Sequence, residues 1–212
     1  MGLTIVVGAL VDADDDRADT IRTDFTTIGA LLTGAGAGTW DEPAEVEGDE
    51  FESWGYTGLH ALRRLAVHLA ESGALPEPLA EAKDATDDPL LKRAYAGLPT
   101  NPPGPFDHLI HHSDCGGYYV PVDFADVIAD ERIPGHYLGS SVRLLAEVRQ
   151  VARAIGVPED IDPDSEEFFE ATNRDPPPAE GWERYGVEAY VCLQLLRAAA
   201  LSVATGSAIA FC

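Results

Sequence analysis

The sequence FDHLIHHSDCGGYYVPVDF, residues 106–124, is the stretch from which we predict the fold. Its two halves, Phe106–Ser113 and Tyr118–Phe124, are rich in aromatic and branched residues, which is typical of β-strands. Between them, Asp114-Cys115-Gly116-Gly117 supplies residues that tolerate the backbone angles of a tight reversal. The pattern therefore predicts a β-hairpin over residues 106–124, with one strand in each half.

The same stretch concentrates the side chains best suited to chemistry: His108, His111, His112, Asp114, Cys115 and Tyr119. A thiol beside an imidazole is the pairing that cysteine nucleophiles use, and imidazole, thiolate and carboxylate groups are zinc ligands. The spacing favours neither site, because His108 and His112 on one face of a strand would lie ~13 Å apart. No Cys-x-x-Cys or His-Glu-x-x-His motif occurs in the chain. The alternative is that these are ordinary core, surface and turn residues.

The net charge of −23 is the strongest compositional signal, with 37 acidic residues against 14 lysines and arginines. A surface without basic patches cannot displace counterions from phosphates, so we do not expect nucleic acid as a partner. Anionic membranes are excluded on the same ground. Such a field would steer in a basic protein partner, although an acidic composition also serves solubility alone.

Two acidic runs stand out along the chain. The segment Trp40–Glu52 carries seven acidic residues and no basic one, which predicts an exposed acidic loop that contacts a cationic partner. The run Asp12–Asp16 lacks the glycine and the bidentate glutamate of a calcium loop, so we interpret it as an acidic loop between strand and helix, with carboxylates favoured near the helix N-terminus. No cofactor is expected, with zinc at the histidines and calcium at this run left open. The predicted binding residues are Asp41, Glu42, Glu45, Glu47, Asp49 and Glu50.

Hydrophobic periodicity supplies the rest of the fold. The apolar run Leu3–Val11 predicts a strand buried on both faces, and Ser207–Phe211 predicts a terminal strand beside it or beside the hairpin. Gly186–Ala204 is apolar almost all round, which predicts a central helix. Further helices are predicted at Ala18–Thr33, Thr57–Ser72, Leu90–Ala96 and from Ser140 or Ser141 to Ile155. This order predicts an α+β fold in one domain, residues 1–212: a small, largely antiparallel sheet of about four strands, with helices mainly on one face.

The cysteines and the N-terminus indicate the compartment. Cys115, Cys192 and Cys212 are too few and too scattered for a disulfide framework. The N-terminal apolar run has no basic segment before it, unlike a signal peptide. These features predict a cytoplasmic protein.

Two functions follow from the sequence alone. The first is a non-enzymatic binding protein that neutralises or regulates a basic partner by presenting acidic loops, as an immunity protein or antitoxin does. The alternative is a metal-binding protein or hydrolase-type enzyme that uses the His/Asp/Cys cluster of residues 106–124. A homo-oligomer formed through the apolar helix is a further hypothesis.

Overall fold

The computed structural model of the chain describes residues 3–11, 13–46, 48–97, 102–174 and 178–212. Its strands are β1 (Thr4–Val7), β2 (Asp49–Glu52), β3 (Tyr118–Val120), β4 (Ile128–Ala129), β5 (Tyr137–Ser140) and β6 (Ile209–Phe211). Its α-helices are α1 (Asp15–Gly34), α2 (Gly55–Ser72), α3 (Pro89–Ala96), α4 (Asp107–Ile110), α5 (Ser141–Ile155), α6 (Glu166–Thr172) and α7 (Gly186–Thr205). The fold is α+β, as the sequence predicts.

The strands form one mixed sheet in the order β2-β1-β6-β3-β5-β4. Neighbouring strands are antiparallel except β3 and β5, so the sheet is largely antiparallel, as predicted. It has six strands rather than about four. The terminal strand β6 lies between β1 and β3, which confirms the position predicted for the end of the chain.

Both faces of the sheet are covered. Ile5 and Val7 of β1 face the larger core, which α2, α5 and α7 complete, whereas Val6 faces a second core that α1 closes. β1 is therefore buried on both faces, as predicted. Such a strand needs a covering layer on each side of the sheet, and α1 supplies the second layer. The strand ends at Val7, because the backbone turns at Gly8 with a φ of +73° that favours glycine.

The long apolar helix α7 is the centre of the larger core, as predicted. Cys192, Leu193 and Leu195 are buried there against α2 and α5. By length and composition, Trp182–Thr205 is the one segment of the described chain that could cross a membrane, and 61% of its apolar 18-residue window is buried within the protein. That burial is typical of a core helix.

The predicted hairpin over 106–124 is wrong in its first half. Phe106–Ser113 is not a strand, because residues 107–110 form the short helix α4. Phe106, Leu109 and Ile110 are spaced three and four residues apart, which fits a helix as well as a strand. β3 instead pairs with β6 and β5. The two halves of this stretch are therefore not paired with each other as a hairpin.

Strands also form where none is predicted. The segment interpreted as an acidic loop contains β2, which pairs antiparallel with β1 along its full length. The stretch after residue 124 that the sequence analysis leaves without elements contains β4 and β5. In β2 only Phe51 is apolar, so the pattern gives a single inward position and little strand signal.

Candidate functional site

The edge strand β2 carries a dense row of carboxylates. Asp49, Glu50 and Glu52 are exposed, while Phe51 between them is buried. Because side chains alternate across a strand, Glu50 and Glu52 share one face, ~6.6 Å apart along the strand. Asp49 points to the opposite side of the strand, so the row on this face carries one charge per ~6.6 Å, about half the linear charge density of a single DNA strand at one per ~3.4 Å.

A second group of carboxylates begins α1, next to β2. Asp14 accepts a hydrogen bond from the backbone N–H of Arg17 at 2.9 Å and caps the helix, with Asp15 and Asp16 exposed in the first turn. The helix begins three residues before the predicted Ala18, so Asp15 and Asp16 belong to its first turn and not to the predicted loop. A polar cleft of about 350 Å³ lies between this helix end and β2. We define the acidic face as Asp14, Asp15, Asp16, Asp49, Glu50 and Glu52.

The chain's own cations pair with carboxylates elsewhere. Exposed pairs such as Arg132 with Asp130, at 2.7 Å, and Lys92 with Asp87, at 2.8 Å, lie outside the acidic face. Within the described ranges, no lysine or arginine forms an ion pair with a residue of the acidic face. Arg17 lines the cleft and its Nη2 donates to the Cys212 sulfur at 3.4 Å. The negative field of the face is therefore not neutralised by ion pairing.

The structure divides the six predicted binding residues. Asp49 and Glu50 belong to the acidic face, and Asp41 and Glu45 are exposed in the segment that leads to it. Glu47 lies outside the described residues. Their role in binding stays a prediction. No binding role was predicted for Asp14–Asp16, although the acidic run in the sequence is the signal that marks them.

Glu42, the sixth, is a structural anchor of this segment. Its Oε2 accepts a hydrogen bond from the backbone N–H of Ala208 at 2.8 Å, and the indole N–H of Trp40 donates to the Gly206 carbonyl at 2.9 Å. Burial raises the pKa of Glu42 to about 7, against the lowering effect of its hydrogen bonds from Ala208 and Ser207. These contacts hold the chain that leads into β2 against the turn before β6.

We expect Glu42→Ala to lower the free energy of unfolding by about 1–2 kcal/mol, because the Ala208 N–H loses its acceptor. Urea denaturation at neutral pH measures this change. Glu45→Ala, at an exposed position three residues away, is the control and should stay within about 0.5 kcal/mol of the wild type. Equal losses in the two variants would contradict the anchoring role.

Two histidines of the predicted polar cluster of residues 106–124 make structural contacts inside the protein. His108 is buried, with Nδ1 accepting from the Ser140 N–H at 2.9 Å and Nε2 lying 3.1 Å from the Ala125 carbonyl. His112 is buried and stacks on Tyr119 at 3.9 Å between ring centroids. Burial lowers the pKa of His112 to about 4, so the ring is neutral near pH 7.

The structure brings His111, His112 and Asp114 together in one open pocket of about 240 Å³, which His60 also lines. His111 Nε2 lies 3.7 Å from Asp107, and Asp114 lies 3.2 Å from Nε2 of His60. Cys115 is exposed, and its sulfur lies 3.6 Å from the Ser113 hydroxyl, with no histidine hydrogen-bonded to the thiol in the described chain. Among the residues that the structure places, no three His, Cys, Asp or Glu side chains are grouped to hold a metal ion.

Two buried charged residues hold the α4 segment in place. Glu147, on α5, accepts hydrogen bonds from the backbone N–H groups of His108 and Leu109 at 3.2 and 2.7 Å. Arg63, on α2, donates to the carbonyls of Leu109 and His112 at 2.8 and 2.7 Å. The Glu147 carboxyl group therefore satisfies N–H groups at the N-terminal end of the short helix, and the guanidinium satisfies carbonyls at its C-terminal end, where a positive charge matches the helix dipole. Neither residue was predicted as a partner of this stretch.

Comparison with known proteins corrects two predictions. Neither a curated protein nor a solved structure matches the chain, but the model of a family described as "Putative DNA-mimic protein" matches residues 1–211. The predicted immunity-protein-like or antitoxin-like inhibitor, with its metal-binding or hydrolase alternative, is therefore wrong. The prediction that nucleic acid is not involved is wrong as well. The excess of negative charge argues against binding DNA, but it does not argue against imitating DNA. The match covers nearly the whole sequence, and the chain belongs to this family of DNA mimics.

Proposed function

We propose that this protein binds DNA-binding proteins at the surface where they contact DNA, with the acidic face in the place of a phosphate backbone. The observation that carries the proposal is the row of carboxylates on β2 and the start of α1, with which no arginine or lysine pairs in the part of the chain that the structure describes. A partner shaped to neutralise phosphates would supply those cations. The family description supports the same function.

The acidic face is held rigidly, which suits imitation of a fixed charge pattern. β2 is hydrogen-bonded to β1, and Phe51 fixes its register by entering the core. Asp14 is fixed as the cap of a 20-residue helix. Carboxylates at set positions lose less conformational freedom on binding than those of a disordered acidic tail. Acidic side chains also protect an edge strand from pairing with another chain, but that effect does not require the second row on α1.

Displacement by DNA tests the proposal. The protein, immobilised through an N-terminal tag, is exposed to the heparin-binding fraction of a lysate from the organism that makes it, and retained proteins are eluted at constant ionic strength. We expect duplex DNA to elute them, because it competes for the same basic surface, and polyglutamate of equal total charge to elute them poorly. Retained proteins that duplex DNA cannot displace would refute the proposal.

A pair of matched variants then locates the contact. The face variant is Asp49→Asn/Glu50→Gln/Glu52→Gln, and the control is Asp84→Asn/Asp126→Asn/Glu131→Gln at exposed sites elsewhere. Each removes three negative charges. Against one retained DNA-binding protein, we expect the face variant to weaken binding by about tenfold or more and the control by less than about threefold, since only close charge pairs contribute strongly. Equal effects would mean that net charge alone drives the association.

A further inference from the structure

An exposed aromatic notch lies beside the acidic face. Trp54 and Phe169 are large apolar side chains that remain 56% and 63% exposed, and both line a notch of about 130 Å³ together with Tyr190. Trp54 follows β2 by two residues, and its ring meets the Tyr190 ring edge-on at 6.0 Å between centroids. Gly58 makes room for this position, because a Cβ there would lie 2.8 Å from the Trp54 Cβ. The notch is therefore built by the fold.

Two carboxylates lie near the Tyr190 wall of the notch. Asp164 accepts a hydrogen bond from the Tyr190 hydroxyl at 3.2 Å, and Glu52 is the last residue of β2, just before Trp54. Burial raises the pKa of Tyr190, and the nearby charges of Asp164 and Glu52 add to that effect. Glu170, next to Phe169 in sequence, is exposed. An occupant of the notch would thus meet aromatic rings and negative charge together.

The protein itself contains an arginine held in such surroundings, on the adjoining surface. The Arg197 guanidinium lies over the Phe51 ring at 5.6 Å from its centroid and pairs with Asp162 and Asp164 at 3.3 and 3.1 Å. A planar, weakly hydrated guanidinium can stack on a ring and pair with carboxylates at once, which an ammonium does less well. Asp164 is shared between this arrangement and the notch.

We infer that the aromatic notch receives an arginine side chain of the partner protein. The inference rests on the proposed function, because a DNA-binding surface supplies arginines in the geometry that phosphates require. A purely apolar side chain would gain nothing from the nearby carboxylates. A second copy of this chain would bring a net charge of −23 against the same sign. The notch therefore adds a preference for arginine to the general attraction of the acidic face.

Peptides of equal charge that carry either arginine or lysine test this inference. Short peptides of alternating glycine and arginine are compared with glycine–lysine peptides of equal length by fluorescence anisotropy at fixed ionic strength. We expect the wild-type protein to bind the arginine peptide about fivefold more tightly. Trp54→Ala should bring this ratio to about one while leaving lysine-peptide binding within about twofold, and Trp54→Phe should retain part of the preference.

Two further variants show whether the arginine preference depends on the notch or on the charge of the acidic face. Tyr95→Ala, an exposed aromatic outside the notch, should keep the arginine preference, and Asp49→Asn/Glu50→Gln, which leaves Glu52 beside the notch intact, should weaken both peptides alike. Equal binding of both peptides by the wild type, or a preference that survives in Trp54→Ala and Phe169→Ala, overturns the inference. If DNA displaces the partners without any arginine preference, the notch inference alone fails; if the preference holds but DNA does not displace them, only the proposed function fails.

Discussion

Arg63→Met is expected to lower the free energy of unfolding by about 3–5 kcal/mol. Methionine keeps much of the length and apolar volume of the side chain but donates no hydrogen bond. Arg63 is 2% exposed and donates to the carbonyls of Leu109, His112 and Ser113 at 2.8, 2.7 and 3.3 Å. The substitution leaves these acceptors without their donor where water has little access, and each loss adds about 1–3 kcal/mol.

Urea denaturation measures the loss, and amide exchange locates it. The amides of residues 110–113 should lose protection before those of α2, because Arg63 holds that segment from a helix that is buried independently. Arg153→Met, at an exposed position on α5, is the control and should change stability by less than about 0.5 kcal/mol. A loss of under about 1 kcal/mol for Arg63→Met would show that the carbonyls find other donors.

The error over residues 106–124 has the same physical origin. Phe106, Leu109 and Ile110 fit both a helix and a strand, so the choice depends on what caps the segment. The caps are Glu147 and Arg63, which lie 38 and 46 residues from Leu109 along the chain. No local pattern reveals partners at that distance. The continuous apolar runs were predictable because hydrophobicity alone places β1, β6 and α7 inside the protein.

The acidic face was only partly predictable for a related reason. Composition shows the excess of carboxylates, and local runs show where they concentrate in sequence. It takes the pairing of β2 with β1 to place Glu50 on the face of the sheet that α1 covers. The aromatic notch depends on Trp54 and Phe169, which are 115 residues apart and meet only in the folded chain. Charge could therefore be foreseen, whereas its arrangement could not.

Glu147→Gln is expected to remove a pH dependence of stability that the wild-type protein shows above pH 6.5. Glu147 is 5% exposed, and burial raises its pKa to about 8 although the N–H groups of Leu109 and His108 lower it. Its ordinary pKa of 4.5 applies in the unfolded chain. Between these values the folded state holds a proton that the unfolded state releases, so stability falls as pH rises.

The window from pH 6.5 to pH 8 isolates this effect. His112, with a pKa lowered from 6.5 to about 4, makes stability rise with pH, but only below pH 6.5. Glu42 acts in the same direction as Glu147, with a pKa raised to about 7, and it is present in both proteins. The difference between wild type and Glu147→Gln cancels Glu42. Relative to the variant, the wild type should lose about 1–2 kcal/mol across the window.

Urea denaturation at several pH values between 6.5 and 8 gives the two stability curves. Glu147→Leu is the control, because it leaves the Leu109 and His108 N–H groups without an acceptor and should lie about 2–4 kcal/mol below the wild type at pH 6.5. Its curve should be as flat as that of Glu147→Gln relative to the wild type. Parallel curves for wild type and Glu147→Gln would mean that the carboxylate stays ionised when buried, and that the two N–H groups at the start of α4 outweigh its loss of solvation.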